Sequence, residues 1–195
     1  DIYLFLKLIY SLLLDADRSD VVVGKEALPS RVNIDVGIVN KYKKRENWAK
    51  TPINSLREEA YQEVLSQDIR LDEYIYTLTL PTGLGKTLTS FAFALKLRDM
   101  LFKKTGVLPR IIYSLPFLSI IEQNFSVLKD VLGTQSTSVL LKHHHLVEMK
   151  FEDRENEYTD DMARILIEGW NSEVVVTTFV QLFHTLVSYH NRTLR

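Results

Sequence analysis

The segment Leu80-Pro81-Thr82-Gly83-Leu84-Gly85-Lys86-Thr87 constrains this chain more than any other, because of what flanks it. Tyr74 to Leu80 is β-branched and aromatic and predicts a strand, and Leu88 to Phe102 predicts a helix. Without a Cβ, Gly83 and Gly85 let the backbone curl until successive amides face one point, where the helix N-terminus adds its own. Lys86 brings a compact positive charge, and the Thr87 hydroxyl can hold Mg²⁺. Such a concave set of donors suits the β- and γ-phosphates of a nucleotide. The expected binding set is Pro81, Thr82, Gly83, Leu84, Gly85, Lys86 and Thr87, with Lys86 and Thr87 as the residues that act on the reacting phosphates. The longer form of this pattern has a glycine where this chain has Leu80. The shorter GxGK[ST] core arises by chance in only about one chain in a hundred of this length, given average glycine usage.

Composition narrows the rest. The 195 residues carry 24 Lys+Arg against 25 Asp+Glu and no Cys, which excludes disulfide frameworks and thiolate metal sites and fits a reducing compartment. A net charge of −1 excludes a strongly basic nucleic-acid module but leaves binding by a local patch open. The chain runs from Asp1 directly into the apolar segment Ile2 to Leu14, which begins with an acid and is interrupted by Lys7 and Ser11. It therefore lacks the basic start of a signal peptide and the roughly 20 apolar residues of a membrane span. We expect a helix of a larger all-α core, met at a cut edge. Residues 24–50, with Pro29, two glycines and the basic cluster Lys41, Lys43, Lys44 and Arg45, are expected to be a linker. A helix capped by Asn54 or Ser55 should follow, with Leu56, Ala60, Val64 and Leu65 on one face. Further strands are expected at 110–115, 139–142 and 174–178, and further helices at 119–132, about 160–168 and 180–190. Strands alternating with helices predict an α/β fold whose parallel sheet is covered on both faces.

Ser114, Pro116 and Ser119 fall at the carboxyl end of one predicted strand, and Thr177 and Thr178 at the end of another. Sheets of this kind bind ligands at that edge, where hydroxyls and helix amides can hold nucleic-acid phosphates without reading bases. Upstream, Arg57 could meet a base or stand exposed on its helix. The run His143-His144-His145 reads as a polar strand end, because consecutive side chains point different ways and rarely close on one metal ion. Asp72-Glu73 precedes its strand, so it cannot serve as the Mg²⁺-binding pair that ends one.

Three ordered motifs, Pro81 to Thr87, Tyr113-Ser-Leu-Pro-Phe-Leu-Ser-Ile-Ile-Glu-Gln-Asn124 and Val174-Val-Val-Thr-Thr-Phe-Val-Gln-Leu-Phe183, resemble motifs I, Ia and Ib of superfamily 2 helicases. In detail they are similar to the CRISPR-associated helicase-nucleases of type I systems. Leu12-Leu-Leu-Asp-Ala-Asp-Arg18 resembles the last helix of that family's HD nuclease domain, whose Ala-Asp dipeptide supplies a metal-binding carboxylate. Among Asp15, Asp17 and Asp20, the resemblance thus singles out Asp17 as a metal ligand. It implies a RecA-like P-loop sheet preceded by a helical remnant of an HD domain: residues 1–23, a linker at 24–50, and a first RecA-like domain at 51–195. That last domain is expected to be incomplete, since no apolar strand ending in Asp-Glu follows Thr178. The family's cofactors would be ATP, Mg²⁺ and a divalent nuclease metal. Its partners would be single-stranded DNA and an RNA-guided surveillance complex in a prokaryotic cytoplasm, with no membrane. By itself this chain is expected to show neither nuclease nor helicase activity. The alternatives are another superfamily 2 motor, such as a restriction translocase, and a non-motor P-loop module.

Overall fold

The computed structural model describes residues 31–134, 136–143 and 167–187, together with isolated positions between 2 and 16. The chain forms two compact units: Asn33–Ile111 with Asp130–Leu132, and Asp1–Val32 with Ile112–Lys129 and Gly133–Arg195.

The first unit is helical. Helix α1 spans Ile38–Glu46, α2 spans Pro52–Ser66 and α3 spans Lys86–Thr105. Helix α2 starts earlier than Asn54 or Ser55. Thr51 is extended and its Oγ1 accepts from the Asn54 amide at 3.3 Å, while Pro52 occupies the first turn. Proline favours that position because its missing N–H would have had no intrahelical partner there. On α3, Phe91, Ala92 and Leu95 are buried, which places one apolar stripe against α2. On α2, Ala60, Val64 and Leu65 are partly buried as expected, Leu56 stands exposed, and Tyr61 is the buried anchor.

Two sequence expectations change here. The stretch expected to be a linker contains α1, whose Val39 is fully buried and whose Lys43 pairs with Glu58 of α2 at 2.5 Å. The basic cluster closes the last turn of that helix, where the macrodipole favours cations. The second correction concerns Tyr74 to Leu80, which forms no strand and no other regular element. Tyr74 and Ile75 are 96% and 83% exposed. Strand propensity reflects packing against neighbouring strands, and this segment has no ladder partner among the described residues.

The second unit is built on a parallel three-stranded sheet flanked by helices. Strand β1 spans Ile111–Leu115, helix α4 Leu118–Leu132, strand β2 Leu140–His143, strand β3 Val174–Thr178 and helix α5 Phe179–Val187. The order is β1-β3-β2, and β2 pairs in parallel with β3 from Leu140↔Val174 to His143↔Thr177. Four consecutive buried residues, Val174 to Thr177, are what an inner strand covered on both faces requires. Leu141, Ile167, Trp170 and Val175 form the core cluster, with Leu182 of α5 packed on it. The helix expected at 160–168 lies outside the described residues except for 167–168, which are helical. The described positions between 2 and 16 are helical and exposed. Among the described residues, no helix is long and apolar enough to cross a membrane.

Candidate phosphate loop and nucleic-acid edge

In the first unit, the loop from Pro81 to Gly85 closes on itself before α3 begins. The Leu84 amide donates to the Pro81 carbonyl at 3.3 Å, making a four-residue turn with Gly83 at φ 87 in its third position. Gly85 caps α3 at φ 76, and its carbonyl accepts from the Thr89 amide at 3.1 Å. A Cβ on either glycine would meet nothing within 4 Å, so glycine is required by the positive φ and not by crowding. No side chain caps the N-terminus of α3, a 20-residue helix. Its first turn can therefore offer amides and the positive end of the macrodipole to an anion. Lys86 is exposed in this first turn and Thr87 is half-buried beside it.

One loop contact was not legible in the sequence. Arg57 of α2 donates from Nε to the Gly83 carbonyl at 2.8 Å and from Nη1 to Asn54 Oδ1 at 2.8 Å. It is thus neither an idle surface arginine nor a group committed to a base. A positive φ at Gly83 could suggest that its carbonyl needs an outside donor, but nothing local names the donor.

In the second unit, adjacent parallel strands β1 and β3 bring their carboxyl ends to one edge of the sheet. Pro116 and Ser119 are exposed there. The Ser114 hydroxyl is buried without a hydrogen-bond partner among the described residues. Thr177 and Thr178 separate, as the pleat demands. Thr177 is fully buried and donates to the His143 carbonyl at 2.8 Å, which makes its side chain a sheet fastener. Thr178 is half-buried, and its Oγ1 accepts from the Gln181 amide at 2.9 Å, capping α5 while its own O–H can still donate.

His143 has a structural partner: its Nδ1 accepts from Trp170 Nε1 at 3.0 Å, and the two rings meet edge to face. His144, His145 and Asp17 lie outside the described residues. Among the described residues, no group of three or more His, Asp or Glu is placed to hold a metal ion. Asp72 and Glu73 pair with Arg70 at 3.0 and 3.3 Å on the surface.

A curated relative bears out the resemblance read from the motifs. The chain is 42% identical over 128 residues to the CRISPR-associated nuclease/helicase Cas3 of Haloferax volcanii, covering 60% of this chain and 14% of that protein. The chain thus spans about a seventh of the relative's length. Residues 50–194, which include the phosphate loop and both strand-end motifs, match the family described as type III restriction enzyme, res subunit. On that match, the chain belongs to the type III restriction enzyme res subunit family.

Proposed function

We propose that this chain carries the nucleotide site and part of the DNA track of an ATP-dependent single-stranded DNA translocase, fused to a metal-dependent nuclease and acting in CRISPR interference. The observation that carries the reading is the loop itself: two glycines at positive φ delivering an exposed Lys86 to the uncapped start of α3. These residues fit ATP·Mg²⁺. Backbone amides and Lys86 suit the β- and γ-phosphate oxygens, and the Thr87 hydroxyl suits Mg²⁺. When bound, the nucleotide would supply the hydrolysis free energy that drives movement. Ser119 and Thr178 would hold phosphates of a single strand at the edge that Ser114 and Pro116 help to form, with Thr177 holding the strand end behind them. The name of the Haloferax relative supports the nuclease fusion and the CRISPR role. An RNA-guided surveillance complex would be the recruiting partner, in the cytoplasm of a prokaryote.

The test is Lys86→Ala in the complete gene product. Loss of the cation facing the β/γ charge should abolish DNA-stimulated ATP hydrolysis. Near-normal hydrolysis in that variant would remove the motor reading. The family description favours a second reading, a restriction-type translocase. The two separate on the activator: a CRISPR motor responds to a strand displaced by an RNA-guided complex, and a restriction motor to duplex DNA carrying its recognition site.

A further inference from the structure

Glycine at φ 87 rotates its flanking peptides at little cost, and the conformation of the Gly83–Leu84 peptide decides what the loop offers an anion. In a trans peptide, the carbonyl and the following N–H point to opposite sides. Here both sides are tied down: the Gly83 carbonyl accepts from Arg57 Nε at 2.8 Å, and the Leu84 amide donates to the Pro81 carbonyl at 3.3 Å. A reversed peptide would turn the Gly83 oxygen, with its partial negative charge, toward the phosphate side.

The arginine is itself held. Its Nη1 donates to Asn54 Oδ1 at 2.8 Å, and Asn54 is fixed by its amide to Thr51 Oγ1 and by its Nδ2 to the Ala49 carbonyl at 2.8 Å. At the far end of α2, Lys96 of α3 donates to the carbonyls of Leu65 at 2.9 Å and Gln67 at 2.8 Å. The helix bearing Arg57 is therefore fastened to the helix into which the loop runs. Satisfying Gly83 and Asn54 together takes two donors in a fixed fork, which arginine has and lysine lacks.

We infer that Arg57 is a positioning residue for the phosphate loop, locking the Gly83–Leu84 peptide in the orientation that admits a polyphosphate; this rests on the nucleotide reading above. Its role is independent of the base. Arg57 is exposed, so its direct Coulomb attraction to a phosphate is screened and geometry is its main contribution.

The experiment measures the affinity of the complete gene product for ATP, GTP and inorganic triphosphate, each with Mg²⁺. Arg57→Ala should weaken all three by the same factor, about tenfold, with the melting temperature of the nucleotide-free protein and single-stranded DNA affinity unchanged. Arg57→Lys, whose donors sit on a single nitrogen, should fall between, and Asn54→Ala should give a smaller uniform loss; both carry the test should Arg57→Ala fold poorly. A loss confined to ATP would make Arg57 a base reader and overturn the inference. So would unchanged affinities in Arg57→Ala while Lys86→Ala still weakens binding. If wild type and Lys86→Ala bind all three ligands equally weakly, the nucleotide reading itself fails and the inference falls with it.

Discussion

At Thr178 a single hydroxyl accepts from the Gln181 amide and keeps its own proton for a further acceptor. These roles separate by substitution. Thr178→Asp keeps an excellent N-cap and places a negative charge where the macrodipole favours one, so stability should hold within about 1 kcal/mol. The same carboxylate would repel a nucleic-acid phosphate, and single-stranded DNA affinity should drop at least about tenfold at low salt, uniformly across sequences. Unchanged DNA affinity would exclude Thr178 from the track. Its neighbour should behave oppositely: Thr177→Val removes the hydroxyl that donates to the His143 carbonyl and should cost about 1 kcal/mol in chemical denaturation. The phosphate loop could be read from sequence because its requirement, positive φ at two glycines before a helix, is local. The division of labour between Thr177 and Thr178 could not, because it depends on which face of the sheet each one meets. Arg57 was hidden for the same reason, since its acceptor lies 26 residues away along the chain.

Strand β3 was legible to the residue because an inner parallel strand writes itself as an unbroken β-branched run, Val174 to Thr178. Tyr74 to Leu80 is also rich in β-branched and aromatic residues but has no ladder partner among the described residues, because a strand is a property of pairs. Helix α1 has no legible apolar stripe in the sequence, because only Val39 along it is buried and ion pairing fastens its polar residues. Just before β3, Glu173 is buried and accepts from Arg31 Nε at 2.8 Å, from Arg31 Nη2 at 2.9 Å and from the Val32 amide at 2.8 Å. The bidentate geometry holds the 31–32 backbone beside the start of the strand. Arg31→Ala would remove both guanidinium donors from a buried carboxylate, costing about 2 kcal/mol once the arginine's own exposure is discounted. A urea denaturation midpoint equal to wild type would show the pair to be idle. On α2, burial pushes the Tyr61 phenol up to about 12, with the Glu58 carboxylate adding to the effect. A folded value above the ordinary 10.0 means that the fold resists ionisation of this group. The stability involved is fully present below pH 10 and is lost as pH rises through about 12. In an alkaline absorbance titration, one phenolate should appear after the others and together with unfolding; its appearance near pH 10 in folded protein would contradict the buried placement.

Over the whole molecule, near-balanced charge leaves the proposed nucleic-acid binding to local geometry, and the described N-terminal positions are exposed. Ile2, Phe5, Leu6, Ile9, Leu12 and Leu13 lie on helical residues and are 47–78% exposed. An apolar helix of that kind supports the proposed membership of residues 1–23 in a larger helical core, the HD nuclease. The decisive residue is Asp17. As a metal carboxylate in the complete gene product, its change to Asn should remove a negative ligand, lower divalent-metal affinity and eliminate DNA cleavage. DNA-stimulated ATP hydrolysis should persist, since the proposed organisation assigns it to another domain. As a helix-end cap, the same residue would tolerate Asn at a cost of about 1 kcal/mol or less, because Asn caps nearly as well as Asp, and cleavage would survive. Metal titration and cleavage assays on Asp17→Asn therefore give opposite results under the two roles. Surviving cleavage with normal metal affinity would detach the nuclease from this chain while leaving the nucleotide site untouched.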